Sequence, residues 1–171
     1  MIRKFILNRL DKEERRLGAS LDYLRHILRV SLSAFFKFAK IMPLATYRKA
    51  LPVDTYCVAR LVATQHEDCG SCVQVEVNLA KADRVALDTI RATLDGNVEV
   101  LSEQLADVYR FTEAVVRVTG DDDVLREKVR QHYGEGGLVE LALAIASCRV
   151  FPTTKRALGY AKSCSLVQID V

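Results

Sequence analysis

The stretch from Val53 to Ala80, VDTYCVARLVATQHEDCGSCVQVEVNLA, reads as helix, short polar break and second helix, with two cysteines where the second helix begins. Pro52 marks the boundary before it, and Val58, Leu61, Val62 and Ala63 then lead as a helix to His66. Thr64 to Asp68 is short and polar, which predicts a turn. Asp68 or Cys69 stands near the N-cap of the next helix, whose buried side carries Val73, Val77 and Ala80.

Inside this stretch, HEDCGSCVQVE (66–76) concentrates the reactive side chains. A cysteine does redox chemistry as thiolate, and a free thiol is mostly protonated at neutral pH unless its anion is stabilised. Unpaired N–H groups and the positive dipole end of a helix starting at Asp68 or Cys69 supply that stabilisation to Cys69 and Cys72. The CxxC spacing keeps both thiols within one turn, so oxidation of one allows a disulfide with the other. His66 can pair with a thiolate or carry a proton, or it can be a plain turn residue at a helix end. Glu76 shares a helix face with Cys72 and would raise its pKa by repulsion unless it is protonated, bridged by water or countered by a cation such as Arg60; a solvent-facing glutamate is the plainer alternative. Zinc on His66, Cys69 and Cys72 with Cys57 or Glu76 is conceivable chemistry, but a second ligand pair at familiar spacing is missing. The expectation is therefore no metal and no cofactor, with Cys57, Cys148 and Cys164 as core thiols.

Working outward, Ile2 to Leu17 has the spacing of an amphipathic helix ending at Gly18. Ser20 offers an N-cap for a second helix with Leu21, Leu24, Ile27 and Leu28. Ser31 offers one for a third, carrying Phe35, Phe36, Phe38 and Ile41, which Met42-Pro43 stops. On the other side, Asp83 should cap a helix through Ile90 that closes at Asp95-Gly96-Asn97. Ser102 to Val118 should be the longest helix, ended by Gly120. Asp121-Asp122-Asp123 lacks the alternating ligands and glycine of a calcium loop and reads as helix capping. A helix through Val124 and Val129 should stop at Gly134, with Gly136-Gly137 separating it from a deeply buried helix, Leu138 to Cys148. Pro152 should start a last helix, and the tail SCSLVQIDV an irregular strap. A weak echo of helix, break and helix joins residues 54–80 to 138–160.

The sum is an all-α, single-domain helical bundle, with residues 1–42 as an N-terminal helical extension packed on a body of residues 43–171. Residues 1–60 carry 13 Lys/Arg against 5 Asp/Glu, whereas residues 61–171 carry 12 against 17. The basic residues at the front alternate with apolar ones at helical intervals and no reading motif accompanies them, which argues against nucleic acid as partner. No run of about 18 or more apolar residues suggests a membrane span. MIRKFILNRLDKEERR lacks the apolar core and cleavage site of a secretory signal, so the expected location is cytoplasmic, where a CxxC is more often catalytic or metal-binding than a structural staple.

On these residues the chain resembles the carboxymuconolactone decarboxylase-like proteins, and within them the alkyl hydroperoxidase D-like branch. The resemblance runs from about Pro43 to Gly159. It comprises the helix Val53 to Gln65, the break, Cys69-Gly70-Ser71-Cys72, then Phe111 to Val115, Leu138 to Leu143 and Ala157-Leu158-Gly159. It implies an all-helical subunit forming homotrimers or hexamers, with the active site at a subunit boundary. It also implies hydroperoxide reduction or disulfide exchange, in which Cys72 attacks and Cys69 resolves, and a dithiol reductant such as a lipoylated protein. The branch's pattern is Glu-x11-Cys-x2-Cys-x3-His, with the glutamate and histidine relaying the proton. Here Cys57 stands at the glutamate position and Glu76 at the histidine position. The expected site is accordingly Cys69 and Cys72 with His66 and Glu76 as a rearranged relay, to which Glu140 can contribute. The alternative is a non-catalytic oligomeric redox-sensing or binding protein of the same fold.

Overall fold

Helix α5, Val53–Gln65, is buried continuously from Thr55 to Thr64, because every face of it is covered by another helix. The computed structural model describes residues 1–120, 122–161 and 167–169, and no strand occurs among them. Before α5 come α1 (Ile2–Leu17), α2 (Asp22–Val30), α3 (Leu32–Ala39) and the short α4 (Ile41–Ala45). After it come α6 (Gly70–Ala82), α7 (Leu87–Asp95), a single 3-10 turn at Val98–Val100, α8 (Glu103–Arg117) and α9 (Asp122–Ala157).

Three apolar clusters hold these helices. The largest joins Val58, Ala59 and Val62 of α5 to Leu105, Val108 and Phe111 of α8 and to Leu141, Ala144 and Ile145 of α9. The second uses the opposite side of α5, where Cys57 and Leu61 meet Val73, Val77 and Ala80 of α6 and Ile90 of α7. The third is built by α1 to α3 around Leu10, Tyr23, Leu28 and Phe35, and it takes in Leu158 and Tyr160 beyond the end of α9. Phe38 packs edge-on against both Tyr23 and Phe151, and Asn78 of α6 donates to the Leu17 carbonyl at 2.8 Å. The N-terminal helices are thereby fastened to α6 and α9.

Several helix ends fall where the sequence puts them. Ser31 and Ser102 cap α3 and α8 with side-chain hydrogen bonds, and Gly18 and Gly96 close α1 and α7 in the left-handed conformation. Other ends move for identifiable reasons. Asp83 does not cap α7, because it and Arg84 are used to close α6: Val85 N–H returns to the Ala80 carbonyl and Arg84 takes a positive φ. Ala86 is the N-cap of α7 instead. Ser20 bonds Asp22 one position before the Leu21 cap of α2, and Pro43 lies within α4 rather than ending α3.

The largest correction concerns α9. Gly134, with φ 69° and ψ 178°, ends one helical stretch as expected; the correction lies after it, where the second stretch of α9 runs through Gly136, Gly137 and Pro152 to Ala157 and is itself longer than α8. Gly137 faces Tyr133 and Leu51, where a Cβ would lie 2.4 Å from the tyrosine Cβ, so its role is close packing rather than separation. The segment from Leu138 to Cys148 is not buried all round either: Val139 is 54 % exposed, and Ala142 and Ala146 face outward. By length and composition α9 passes as apolar enough to cross a bilayer, with a window of mean hydropathy 1.3, a test that the core helix of a globular protein also passes. Half of that window is buried in the bundle, as in the core helix of a globular protein.

The start of α9 carries Asp122 and Asp123 in its first turn, both paired with Arg126, in keeping with capping chemistry. Asp121 and Cys164 lie outside the described residues. Of the expected tail strap, residues 167–169 lie along α6, where Gln168 exchanges hydrogen bonds with Gln74, and Val167 and Ile169 cover the second cluster.

Candidate functional site

The turn between α5 and α6 is made by Glu67 and Asp68, with Asp68 in the left-handed region at φ 47°. That reversal makes Cys69 the N-cap of α6 and places Cys72 in its first turn. The two sulfurs are joined as a disulfide, with Cα atoms 5.2 Å apart. Cys69 and Cys72 are both buried, at 1 % and 7 % exposed. Both lie beside the N–H groups that a helix leaves unpaired at its N-terminus, where negative charge is favoured.

Glu76 is buried and held in a bidentate ion pair by Arg60, at 2.6 and 2.8 Å. Arg60 also donates to the Ala45 carbonyl at 2.7 Å and to the Tyr56 hydroxyl, and that hydroxyl donates to the same carbonyl. Burial opposes the guanidinium charge, but Glu76 outweighs it and holds Arg60 protonated. His66 ends α5 on the exposed side of the turn, and partial burial followed by the nearby Arg117 lowers its pKa despite Glu113. Among the described residues no hydrogen bond connects His66 or Glu76 to Cys69 or Cys72. Glu140 is engaged elsewhere: its carboxylate accepts from the backbone N–H groups of Lys49, Ala50 and Leu51 at 2.8 to 3.0 Å, fixing the loop before α5. Burial would raise its pKa, but these bonds hold it below the usual glutamate value.

Cys57 and Cys148 are buried thiols, each pushed up to about 12 chiefly by burial, which makes them poor nucleophiles. Among the described residues no three His, Cys, Asp or Glu side chains converge as a metal cluster, and His66 is not gathered with the two sulfurs.

Two contributors escape a reading of the sequence. Glu67, buried in the turn, accepts from Arg149 at 2.6 Å and from Thr153 at 3.1 Å, tying the dithiol turn to α9. Lys155 of α9 is 6 % exposed and donates to the Ser71 hydroxyl at 3.2 Å, while that hydroxyl lies 3.6 Å from Cys69 Sγ. Glu67 carries no local signal, since its partners are more than eighty residues away. Lys155 carries a faint one: with Phe151 and Leu158 it falls at i, i+4 and i+7 on an otherwise apolar stripe.

No protein-family model and no curated protein matches the chain. Solved structures do. A cysteine-to-alanine variant of the debrominase Bmp8, crystallised with 2,3,4-tribromopyrrole, superposes with a TM-score of 0.74 at 14 % identity, over 91 % of this chain and 83 % of that one. A protein of unknown function from Agrobacterium tumefaciens, described provisionally as the antioxidant defence protein AhpD, superposes with a TM-score of 0.66 at 20 % identity, over 78 % of this chain and 91 % of that one. The fold is thus the all-helical bundle of the alkyl hydroperoxidase D-like type.

Proposed function

We propose that the chain is a thiol-dependent oxidoreductase that reduces hydroperoxides, or exchanges disulfides, through Cys72 and Cys69. The observation that carries the reading is the Cys69–Cys72 pair at the first turn of α6, already joined as a disulfide, with the attacking role assigned to Cys72 by the family resemblance. In the forward reaction the Cys72 thiolate takes the terminal oxygen of the hydroperoxide. The O–O bond breaks, the alkoxide gains a proton and leaves as alcohol, and Cys72 becomes a sulfenic acid. Cys69 then attacks that sulfur as thiolate, the S–O bond breaks, and the hydroxide leaves as water after gaining a proton. A dithiol partner, for which a lipoylated protein is the leading class, reduces the disulfide by two exchange steps.

The helix N-terminus supports this reading, as does the pairing of Glu76 with Arg60, which prevents its carboxylate from opposing the Cys72 anion. Neither His66 nor Glu76, the expected proton relay, is hydrogen-bonded to a thiol. That same observation favours a second reading, a redox sensor that closes its disulfide once without turnover. Self-association belongs to the proposal as well, and the outward Val139, Ala142 and Ala146 of α9 offer an apolar surface for it.

The test is consumption of an organic hydroperoxide or a small disulfide with excess dithiol. A brominated pyrrole belongs in the panel, because the same two thiols would replace bromine by hydrogen and release bromide as the disulfide closes. Multiple turnovers by the wild type and none by Cys72→Ser are expected. Undiminished turnover in Cys72→Ser would refute the assignment, and a single stoichiometric oxidation would favour the sensor.

A further inference from the structure

We propose that Lys155, reaching Cys69 through the Ser71 hydroxyl, is the cationic positioning residue of the thiol pair and holds Cys69 as a thiolate when the disulfide opens. The proposal rests on the thiol-disulfide reading above and gives that site a residue assigned by neither the motif nor the family resemblance.

Proton accounting sets the direction of the link. Cys69 Sγ carries no proton in the disulfide, so Ser71 donates to it while accepting from the Lys155 ammonium. The surroundings of Lys155 are unusual for a buried charge. The Tyr23 ring lies 5.5 Å from its Nζ, closing the site from α2. Burial pushes the Tyr23 phenol upward, so no phenolate is supplied. Glu67, on the turn before α6, is taken by Arg149, Thr153 and Arg156. Among the described residues no carboxylate lies within ion-pair distance of Lys155, whereas buried Arg60, Glu67 and Asp107 each have an opposite charge. A buried ammonium without a counterion is costly, and burial lowers the Lys155 pKa accordingly.

The missing counterion is the one that reduction creates. When a partner thiolate attacks Cys72, a new S–S bond forms to the partner and the Cys69–Cys72 bond breaks. The electron pair goes to Cys69, whose negative charge faces the Ser71 hydroxyl and the Lys155 ammonium behind it. The partner's second thiolate then releases Cys72 and leaves as the oxidised dithiol. Stabilising the reduced state in this way makes the disulfide easier to reduce. It also keeps Cys69 ready to attack an oxidised Cys72.

The experiment equilibrates the full chain with graded ratios of reduced and oxidised dithiothreitol. The Cys69–Cys72 fraction is read by alkylation and mass, for the wild type, Lys155→Met, Ser71→Ala and Ser71→Thr. Lys155→Met and Ser71→Ala are expected to shift the equilibrium about tenfold toward the disulfide, roughly 30 mV for a two-electron couple, and Ser71→Thr to restore it. Wild-type equilibria in Lys155→Met and Ser71→Ala overturn the proposal. So does a Lys155→Met shift that Ser71→Ala does not share. Should Lys155→Met fail to fold, the Ser71 pair decides alone, since Ser71 is only partly buried. No peroxide enters this measurement. A lysine-dependent equilibrium in a protein without peroxidase turnover therefore supports the inference while removing the activity, and a lysine-independent one in an active protein overturns the inference alone.

Discussion

Two buried cations flank the dithiol helix, and they differ in one respect. Arg60 has its guanidinium filled by Glu76, the Ala45 carbonyl and the Tyr56 hydroxyl, each partner fixed by the fold. Lys155 has a hydroxyl and an aromatic ring, and among the described residues no anion. A cation whose partners are complete is architecture: it joins α5 to α6 and to the end of α4. A cation with no anion among the described residues is, on our proposal, matched to the thiolate that reduction creates.

The comparison breaks most easily at Glu76. Glu76→Ala leaves Arg60 buried and uncompensated, so denaturant unfolding should record a loss of about 3–5 kcal/mol. Little change would mean that the pair is solvated and that the contrast with Lys155 is false.

The next effect concerns Glu140: Glu140→Gln keeps one acceptor oxygen but sets an amide NH2 donor against loop N–H groups that the second oxygen had accepted, and should cost about 1–3 kcal/mol by the same method. It has a pH counterpart. Glu67, Asp107 and Glu140 all have folded pKa values depressed below the unfolded ones, with burial overcome by their hydrogen bonds and ion pairs. Their contribution is present above the ordinary carboxylate pKa of about 4 and is lost as pH falls through the folded values. The unfolding midpoint of the wild type should drop through that acid range, and Glu140→Gln should drop less.

The smallest effect is expected for Lys155→Met in the oxidised protein: unchanged stability, or a gain of up to about 1 kcal/mol, since an unpaired buried charge is exchanged for an isosteric apolar chain. A large loss would make Lys155 a structural residue like Arg60.

Much of this was legible in the chain. Helix, break and helix around Cys69 and Cys72 can be read from periodicity and spacing, because those signals are local. The capping roles of Ser31 and Ser102 are legible for the same reason. The run of α9 after Gly134 was not, since Gly136, Gly137 and Pro152 are ordinary breakers and only the packing of Gly137 on Tyr133 and Leu51 explains one of them. Pairing of Glu76 with Arg60 was foreseeable as one of several options. The environment of Ser71 was not foreseeable, because Lys155 arrives from a helix 84 residues away and is covered by Tyr23 from the N-terminal segment. Charge without a partner is invisible in a sequence, which records side chains but not which of them meet.

The most direct test of the central claim is a single turnover. Fully reduced protein is mixed with one equivalent of organic hydroperoxide, quenched with acid, unfolded and alkylated in denaturant, and mapped by peptide mass. The account predicts one equivalent of alcohol, the loss of two titratable thiols, and a Cys69–Cys72 linkage, with Cys57 and Cys148 still alkylated. Persistence of all thiols, or oxidation that falls on Cys57 or Cys148 while the CxxC pair stays reduced, would contradict it.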